Sequence, residues 1–372
     1  MVHVRGWLLP KFAGGGKFGV GVSEYRPKVN LRKSVLLIVL AIVLMLFVAW
    51  LLTREHIYEM LVAVRRADRS LIALAVAVYF ISVAVWATRW RATLSFIDCR
   101  TTFATRYLIL CAAIFFNNIT PMVRVGGDPF GRVYMLHKLE NTSYSSGVAS
   151  SIGEHVFTPL VIISFLMAGL LLEFGKASFQ LSLILAVAWA LAALGTVFLP
   201  RLVSRKRIAV RGISKVTSRV LQWFGKRKDV QEIMELIDAF YASFYATIDK
   251  RKKAFLIASL TLLIGALDVF RLYTIFLALD YRPEISVLLV ASSLPVIVGL
   301  IPFLPGGLVL VEGSLISVFA LFGIPLSLAM GATLIERGIS FVLSTIVGAV
   351  VFSYLGVRMA AKPSPANHDN GR

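Results

Sequence analysis

Five long stretches of this chain contain no charged residue, and they limit its fold more than any other feature. They are Val35–Leu52, Leu71–Thr88, Val156–Leu172, Ala177–Leu199 and Ala254–Leu267. Each approaches the length of about 20 residues that carries an α-helix across about 30 Å of hydrocarbon. Because lipid offers no hydrogen-bond partner to the backbone, such runs must form helices. Their continuous rather than alternating hydrophobicity argues against a membrane β-barrel. The sequence therefore predicts an all-α polytopic membrane protein.

The chain is strongly basic, with a net charge of +19 over 372 residues. Nucleic-acid binding is one interpretation, and cytoplasmic loops that follow the positive-inside rule are the other. Since the lysines and arginines lie between the apolar runs, we favour the second interpretation and expect no nucleic-acid partner. We expect the basic loop to contact anionic lipid headgroups instead.

The distribution of Lys and Arg predicts the orientation in a cell membrane. The N-terminal segment 1–33, the loop 201–253 and the tail 357–372 are predicted to be cytoplasmic, so both termini lie inside. Asp229–Tyr245, within the loop, has the periodicity of an amphipathic helix. The tail is expected to be disordered.

The short segment that follows the second apolar run is also basic, with Arg89, Arg91, Arg100 and Arg106. We predict that it forms a cytoplasmic loop. Trp86 and Trp90, at the end of this run, are predicted to anchor the helix at the membrane interface.

Two apolar segments are interrupted by Pro and Gly and do not match simple spans. They are residues 107–138 and 285–323. Each half of such a segment is too short to cross the membrane, and Pro and Gly break the helix where its backbone needs other partners. We predict two re-entrant hairpins, one in a first membrane half (34–200) and one in a second (254–356). About six full spans complete the fold: the five uncharged runs, two of them extended to Val148–Leu172 and Ala254–Ala278, and Leu326–Ser353.

The two interrupted segments share an ordered pattern. Pro121 precedes Asp128 by seven residues, and Pro305 precedes Glu312 by seven. A second acid follows in each half, Glu154 after 26 residues and Glu336 after 24. Together with the opposite predicted orientation of the halves, the pattern indicates an inverted repeat, which in secondary transporters places the working site between the repeats.

Polar residues at membrane depth are costly and usually face a partner or a wet cavity. The broken helix ends also expose backbone N–H groups that could hold an anionic group such as a lipid phosphate. Our candidate substrate-binding side chains are Asn117, Asn118, Arg124, Asp128, Arg132, Glu154, Glu312, Glu336 and Arg337, and the candidate backbone anion sites are Gly126, Gly127, Gly306 and Gly307.

The alternative interpretation is that these residues pair with one another to brace the hairpins. His155 is a natural partner for Glu154. Asp268 and Arg271 lie three residues apart, which predicts an ion pair within one helix. The only cysteines are Cys99 and Cys111, and without a Cys/His cluster we expect no disulfide framework, metal site or cofactor.

Asn117–Leu136 (NNITPMVRVGGDPFGRVYML) and Pro302–Phe341 (PFLPGGLVLVEGSLISVFALFGIPLSLAMGATLIERGISF) resemble the flippase-like family also called the lysylphosphatidylglycerol synthase transmembrane region. The resemblance extends from about Lys33 to Tyr354 and includes the membrane half of the multiple peptide resistance factor. It implies movement of lipids or lipid-linked molecules between leaflets. Asp128 stands where the family often has Glu. The chain has no room for that factor's soluble aminoacyl-transferase domain.

Three functions fit the sequence. The first is a transporter that moves a phospholipid or other amphipathic lipid between leaflets. The second is a membrane-embedded transferase that acts on lipid headgroups, and the third is a scaffold that recruits a separate lipid-modifying enzyme. We favour the first and expect no enzymatic activity, because no GxSxG, Walker A or HExxH motif occurs.

Overall fold

The computed structural model describes residues 56–97, 99–120, 126–174, 251–298 and 309–361, with a few isolated positions between 180 and 190. In these ranges every regular element is a helix. The α-helices are α1 (Ile57–Arg66), α2 (Arg69–Leu94), α3 (Phe103–Ile119), α4 (Arg132–Glu140), α5 (Tyr144–Gly153), α6 (Thr158–Phe174), α7 (Arg251–Ala278), α8 (Ile285–Val298), α9 (Leu310–Leu321), α10 (Leu326–Arg337) and α11 (Ser344–Ala361). The predicted all-α class is confirmed for this part of the chain.

Four helical stretches are long and apolar enough to cross a membrane. They are Arg69–Leu94, Ser146–Glu173, Lys252–Ala278 and Leu326–Ala360. They contain four of the six predicted spans. The predicted span Val35–Leu52, nearly all of Ala177–Leu199, the loop between 201 and 250 with its amphipathic helix, and the tail beyond residue 361 lie outside the described residues.

Large apolar side chains cover the outward faces of these long helices. On α11, Ile346, Val350 and Val357 are 58%, 67% and 73% exposed. A contiguous apolar surface of this kind is unfavourable in water and is solvated by acyl chains in a bilayer. The surface therefore agrees with the membrane location that the sequence predicts.

Helices α2 and α7 pack along their length at the centre of the described structure. Arg89 of α2 donates to Thr261 of α7 at 3.2 Å, and the guanidinium of Arg271 lies 5.3 Å from the ring centre of Tyr79. Tyr79 lies ten residues before Arg89 on α2, whereas its partner Arg271 lies ten residues after Thr261 on α7. The two helices are therefore antiparallel. Ten helical residues correspond to about 15 Å along the axis.

The helices around this central pair exchange partners between the two halves of the chain. Helix α3 packs against α11, and α8 packs against α6. Each interface has a glycine against a backbone carbonyl: a Cβ on Gly348 would lie 2.5 Å from the Cys111 oxygen, and a Cβ on Gly169 would lie 2.7 Å from the Ser286 oxygen. Small residues allow the close helix approach that stabilises membrane bundles.

Two of the long helical stretches are broken next to an acidic residue. A turn that begins at Glu154 separates α5 from α6. Glu336 lies at the end of α10, and the π-helical segment Gly338–Leu343 connects α10 to α11. Such interruptions leave the regular i to i−4 ladder and often occur at functional sites.

The first interrupted segment has the predicted order of helix, break and helix. It extends from residue 103 to residue 140 rather than from 107 to 138. Helix α3 begins at Phe103 rather than at residue 107, and a wide turn at Gly126–Gly131 leads into α4. Within this turn Asp128 is extended, with φ −127° and ψ 118°. In the second segment, α8 begins at Ile285 as predicted, residues 299–308 lie outside the description, and α9 follows.

The interpretation of the basic segment after the second apolar run is wrong in three respects. Helix α2 continues through Arg89 to Leu94, and Arg89 and Arg106 are both only 4% exposed. Trp90 is not an interface anchor: it is fully buried, and its Nε1 donates to Ser150. Arg89, at the end of the second apolar run, therefore belongs to a buried polar site rather than to the membrane surface.

We predict that Gly348→Ala destabilises the α3–α11 interface, because the new Cβ would overlap the Cys111 carbonyl. A loss of about 1–3 kcal/mol is expected for such overpacking, visible as a lower melting temperature of the protein in detergent. Gly356→Ala is the matched control, since nothing lies within 4 Å of a Cβ there on the same helix. Equal melting temperatures for the two variants would contradict the close packing.

Candidate functional site

Arg132 is the centre of a group that we call the first charged cluster: Arg89, Asp128, Arg132, Glu154 and the part-exposed His155. Its guanidinium is fully buried. It donates to Asp128 Oδ1 at 2.8 Å and to the Glu154 carboxylate. His155 Nε2 lies 3.0 Å from Asp128 Oδ2. The break before α4 and the break after α5 therefore bring their two acids onto one arginine.

Polar and aromatic side chains complete the surroundings of Arg132. The Ser151 hydroxyl contacts both Arg132 and Asp128. The guanidinium carbon lies 4.6 Å from the ring centre of Trp90, a cation–π arrangement. Trp86 donates from Nε1 to Glu154 Oε1 at 2.8 Å. Both tryptophans thus hold the charged cluster in place, which their position at a span end did not indicate.

Arg271 and Arg337 organise a second charged cluster with Asp268, Glu312 and Glu336. Arg271 binds both oxygens of Glu336, from Nε and Nη2, at 2.9 Å each. Its Nη1 donates to Asp268 at 2.8 Å, which confirms the predicted intrahelical pair but shows that it is only part of a larger network. Arg337 donates to Glu312 and lies 4.9 Å from the Phe341 ring centre.

The two predicted asparagines have different positions. Asn117 accepts the Asp128 backbone N–H at 3.1 Å, so it holds the wide turn. Asn118 donates to Thr345 at 2.9 Å and to Ser344 at 3.2 Å, and thus connects α3 to α11. Gly126 and Gly127 begin the wide turn, whereas Arg124, Gly306 and Gly307 lie outside the described residues.

A cavity of about 870 Å³ lies between the two clusters. Its polar lining comes from both halves of the chain and includes Trp86, Arg89, Asn117, Asn118, Asp128, His155, Asp268, Arg271, Glu336 and Arg337. Apolar side chains such as Ile162, Phe165, Ile264 and Leu272 form the rest of the wall. The structure therefore brings five of the nine predicted substrate-binding side chains to one cavity, while Arg132, Glu154 and Glu312 are not part of its lining.

The oxygen and nitrogen atoms of Asp128, Glu154 and His155 lie within 4.8 Å of one another, the spacing of a metal site. The Arg132 guanidinium already binds both carboxylates. A divalent cation would have to share these oxygens with a fixed positive charge. The geometry therefore fits an ion-pair network better than a metal centre.

Sequence reasoning missed Arg89, Trp86 and Ser151 as site residues and gave Arg271 a minor role. A signal for Arg89 was present in the sequence. The helical spacing of apolar residues continues past it, with Trp90 and Leu94 four residues apart, and both are buried. Arg89, beside Trp90, is buried with this apolar face, whereas Arg91 on the same helix is exposed.

Comparison with known proteins adds a family match. The family model described as the lysylphosphatidylglycerol synthase TM region matches residues 35–348. A UPF0104 membrane protein of Methanothermobacter thermautotrophicus is 29% identical over 89% of this chain and 95% of its own length. A UPF0104 membrane protein of Methanocaldococcus jannaschii is 23% identical over 87% of this chain and 95% of its own length. No solved structure matches the chain.

We predict strong coupling between Arg271 and Glu336. Arg271→Gln or Glu336→Gln alone leaves a buried charge without its partner and should cost about 3–5 kcal/mol of unfolding free energy. The double variant should be destabilised by clearly less than the sum. The unfolding free energies of the unmodified protein, the two single variants and the double variant, measured in detergent, give the coupling energy of the pair.

The control for this cycle is the pair His56 and Glu59, whose side chains are 43% and 63% exposed. Its coupling energy should stay below about 1 kcal/mol. If the Arg271–Glu336 cycle gave an equally small value, the buried bidentate pair would not stabilise the fold.

Proposed function

The chain belongs to the family of the lysylphosphatidylglycerol synthase TM region, and on this premise we propose that it moves a phospholipid or other amphipathic lipid between the leaflets of a cell membrane. The observation that carries the proposal is the cavity. It combines charged side chains from both clusters with apolar side chains in one space of about 870 Å³. A lipid needs both kinds of surface, one for its headgroup and one for its chains.

The separation of the charges along the central helix pair supports transport of a lipid rather than its binding at one fixed position. Arg89 of α2 and Arg271 of α7 lie about 15 Å apart along the axis of the central helix pair, which is about half of the hydrocarbon thickness. A headgroup that passes between these levels exchanges one set of polar contacts for another. The cost of crossing bare hydrocarbon is thereby lowered.

We propose that the two halves of the chain form an inverted repeat with six spans and two re-entrant hairpins. The antiparallel packing of α2 and α7 supports this, as does the exchange of partners by α3 with α11 and by α8 with α6. In this arrangement both termini and the basic loop 201–253 are cytoplasmic, and the loop contacts anionic headgroups or a separate lipid-modifying enzyme.

The proposed role is binding and movement, without an enzymatic step. Asp128, Asp268 and Glu336 line the cavity, and each is held by a basic side chain. A general base needs a carboxylate directed at a reacting proton. Carboxylates paired in this way suit a binding surface whose charges are balanced.

We expect Asp128→Asn and Glu312→Gln each to reduce lipid exchange in liposomes by at least about tenfold, because each change removes a charge from a network at the cavity. The assay measures loss of outer-leaflet accessibility of fluorescent phospholipids in vesicles with purified protein. Glu59→Gln, an exposed residue of α1 outside the cavity lining, is the control and should exchange lipid like the unmodified protein.

Size-exclusion profiles of the same variants separate a transport defect from misfolding. Full exchange by both folded variants would reduce the two acids to structural partners. No exchange by the unmodified protein above empty vesicles, across several lipid classes, would end the transport proposal.

The inverted repeat predicts opposite sides for the loops that follow α4 and α7. In a variant without native cysteines, Lys138→Cys and Arg282→Cys should react with a membrane-impermeant thiol reagent from opposite sides of the membrane. Both positions are exposed. Reaction of both from the same side would refute the inverted arrangement.

A further inference from the structure

We propose that Arg89 binds the phosphate group of the transported lipid. The inference rests on the proposed function and deepens it, since it assigns the headgroup chemistry to one side chain. It also moves the expected anion site from backbone N–H groups in the glycine-rich breaks to a guanidinium near the C-terminal end of α2.

The donors of Arg89 are largely unused by the described residues. A guanidinium has five N–H donors, and the described contacts within hydrogen-bond distance use one of them, to Thr261 at 3.2 Å. The side chain is 5% exposed and nevertheless lines the cavity. Its Nε has no hydrogen-bond partner among the described residues. A buried cation with this many open donors is unfavourable unless a ligand completes its contacts.

Arg271, on the other helix of the central pair, shows what a satisfied guanidinium looks like in this fold. Arg271 binds Glu336 with two hydrogen bonds and Asp268 with a third. Arg89 makes no hydrogen bond to a carboxylate among the described residues, and its nearest carboxylate oxygen, Glu154 Oε2, lies 3.9 Å from its Nε.

Arg132 takes the carboxylate of Glu154, and the donors of Arg89 therefore remain available for a ligand in the cavity. Arg132 binds Glu154 directly, and the closest approach of Arg89 Nε to Glu154 Oε2 is 3.9 Å, beyond hydrogen-bond distance. Arg132 lies four residues after Asp128. In the second half, the residue four positions after Glu312 is Ile316, so that half has no counterpart of Arg132. One arginine thus balances the acids of the first cluster, and the other is left for the cavity.

A lipid phosphate fits this site by shape and by surroundings. The planar guanidinium matches two oxygens of a phosphate in the same way that Arg271 matches two oxygens of a carboxylate. Ile264 lies one helical turn from Thr261 on α7, and it lines the same cavity together with Ile162 and Phe165. A phosphate at Arg89 therefore has apolar side chains beside it, where the acyl chains of a phospholipid begin.

The test measures binding to the full-length purified protein in detergent. The probes are dioleoylphosphatidylglycerol, dioleoylglycerol with the same chains and no phosphate, and inorganic phosphate alone. The variants are Arg89→Gln and Arg89→Lys. Arg91→Gln is the matched control, because it removes the same charge from an exposed position on the same helix.

We expect the unmodified protein and Arg91→Gln to prefer phosphatidylglycerol over dioleoylglycerol by about ten- to a hundredfold, the range for charge-assisted hydrogen bonds. Arg89→Gln should lose this preference. Arg89→Lys keeps the charge beside Glu154 and Asp128 but loses the planar fork, so it should fold and prefer phosphatidylglycerol less strongly than the unmodified protein does.

Full preference in either Arg89 variant would overturn the assignment and leave Arg89 as a brace for Glu154. Inorganic phosphate that binds as tightly as the lipid, with the same dependence on Arg89, would overturn the lipid source. The lipid-binding measurement does not depend on leaflet exchange, so the two proposals can fail separately. Arg89-dependent lipid binding without leaflet exchange would refute only the transport proposal, and exchange that is insensitive to Arg89 would refute only this site.

Discussion

The cost of a buried charge is the constraint on which the rest of this structure depends. An isolated ion in a low-dielectric interior is unfavourable by several kcal/mol even after relaxation. Arg132 is fully buried, and so is Glu154. These charges are tolerated because each guanidinium binds carboxylates from other segments, as Arg132 binds Asp128 and Glu154 and as Arg271 binds Glu336. The packing of the helices must therefore keep these partners within reach of one another.

The helix breaks are the means by which the pairs form. Asp128 reaches Arg132 from an extended residue within a wide turn, and Glu154 stands where α5 ends. A continuous helix would direct these carboxylates to fixed positions along one rod. Interrupting the helices lets short elements of different direction converge, and the chain places polar groups at membrane depth, where they line a cavity together with apolar side chains.

Much of the fold could be predicted from the sequence, and so could several site residues. The uncharged runs identified three of the four described spans, and Pro and Gly located the break before α4. Asp128, Glu312 and Glu336 stood out because acids are rare in such runs. Arg89 and Trp90 were misplaced, since the basic residues at the end of the apolar run were given more weight than the helical spacing of Trp90 and Leu94 that continues past Arg89. Their burial depends on α5 and α7, which lie far away in the sequence.

The sequence by itself determined that the chain lies in a membrane as helices, because hydrocarbon length and backbone hydrogen bonding leave no other solution for its apolar runs. It also determined the break before α4, since Pro and Gly act locally, whereas the breaks at Glu154 and after Glu336 were seen only in the structure. Only the tertiary structure decided which charges pair. Ion pairing is a property of distances between segments, and Arg132 rather than Arg89 reaches Glu154 because of where α4 packs. That choice leaves one guanidinium facing the cavity, which no local pattern in the sequence could indicate.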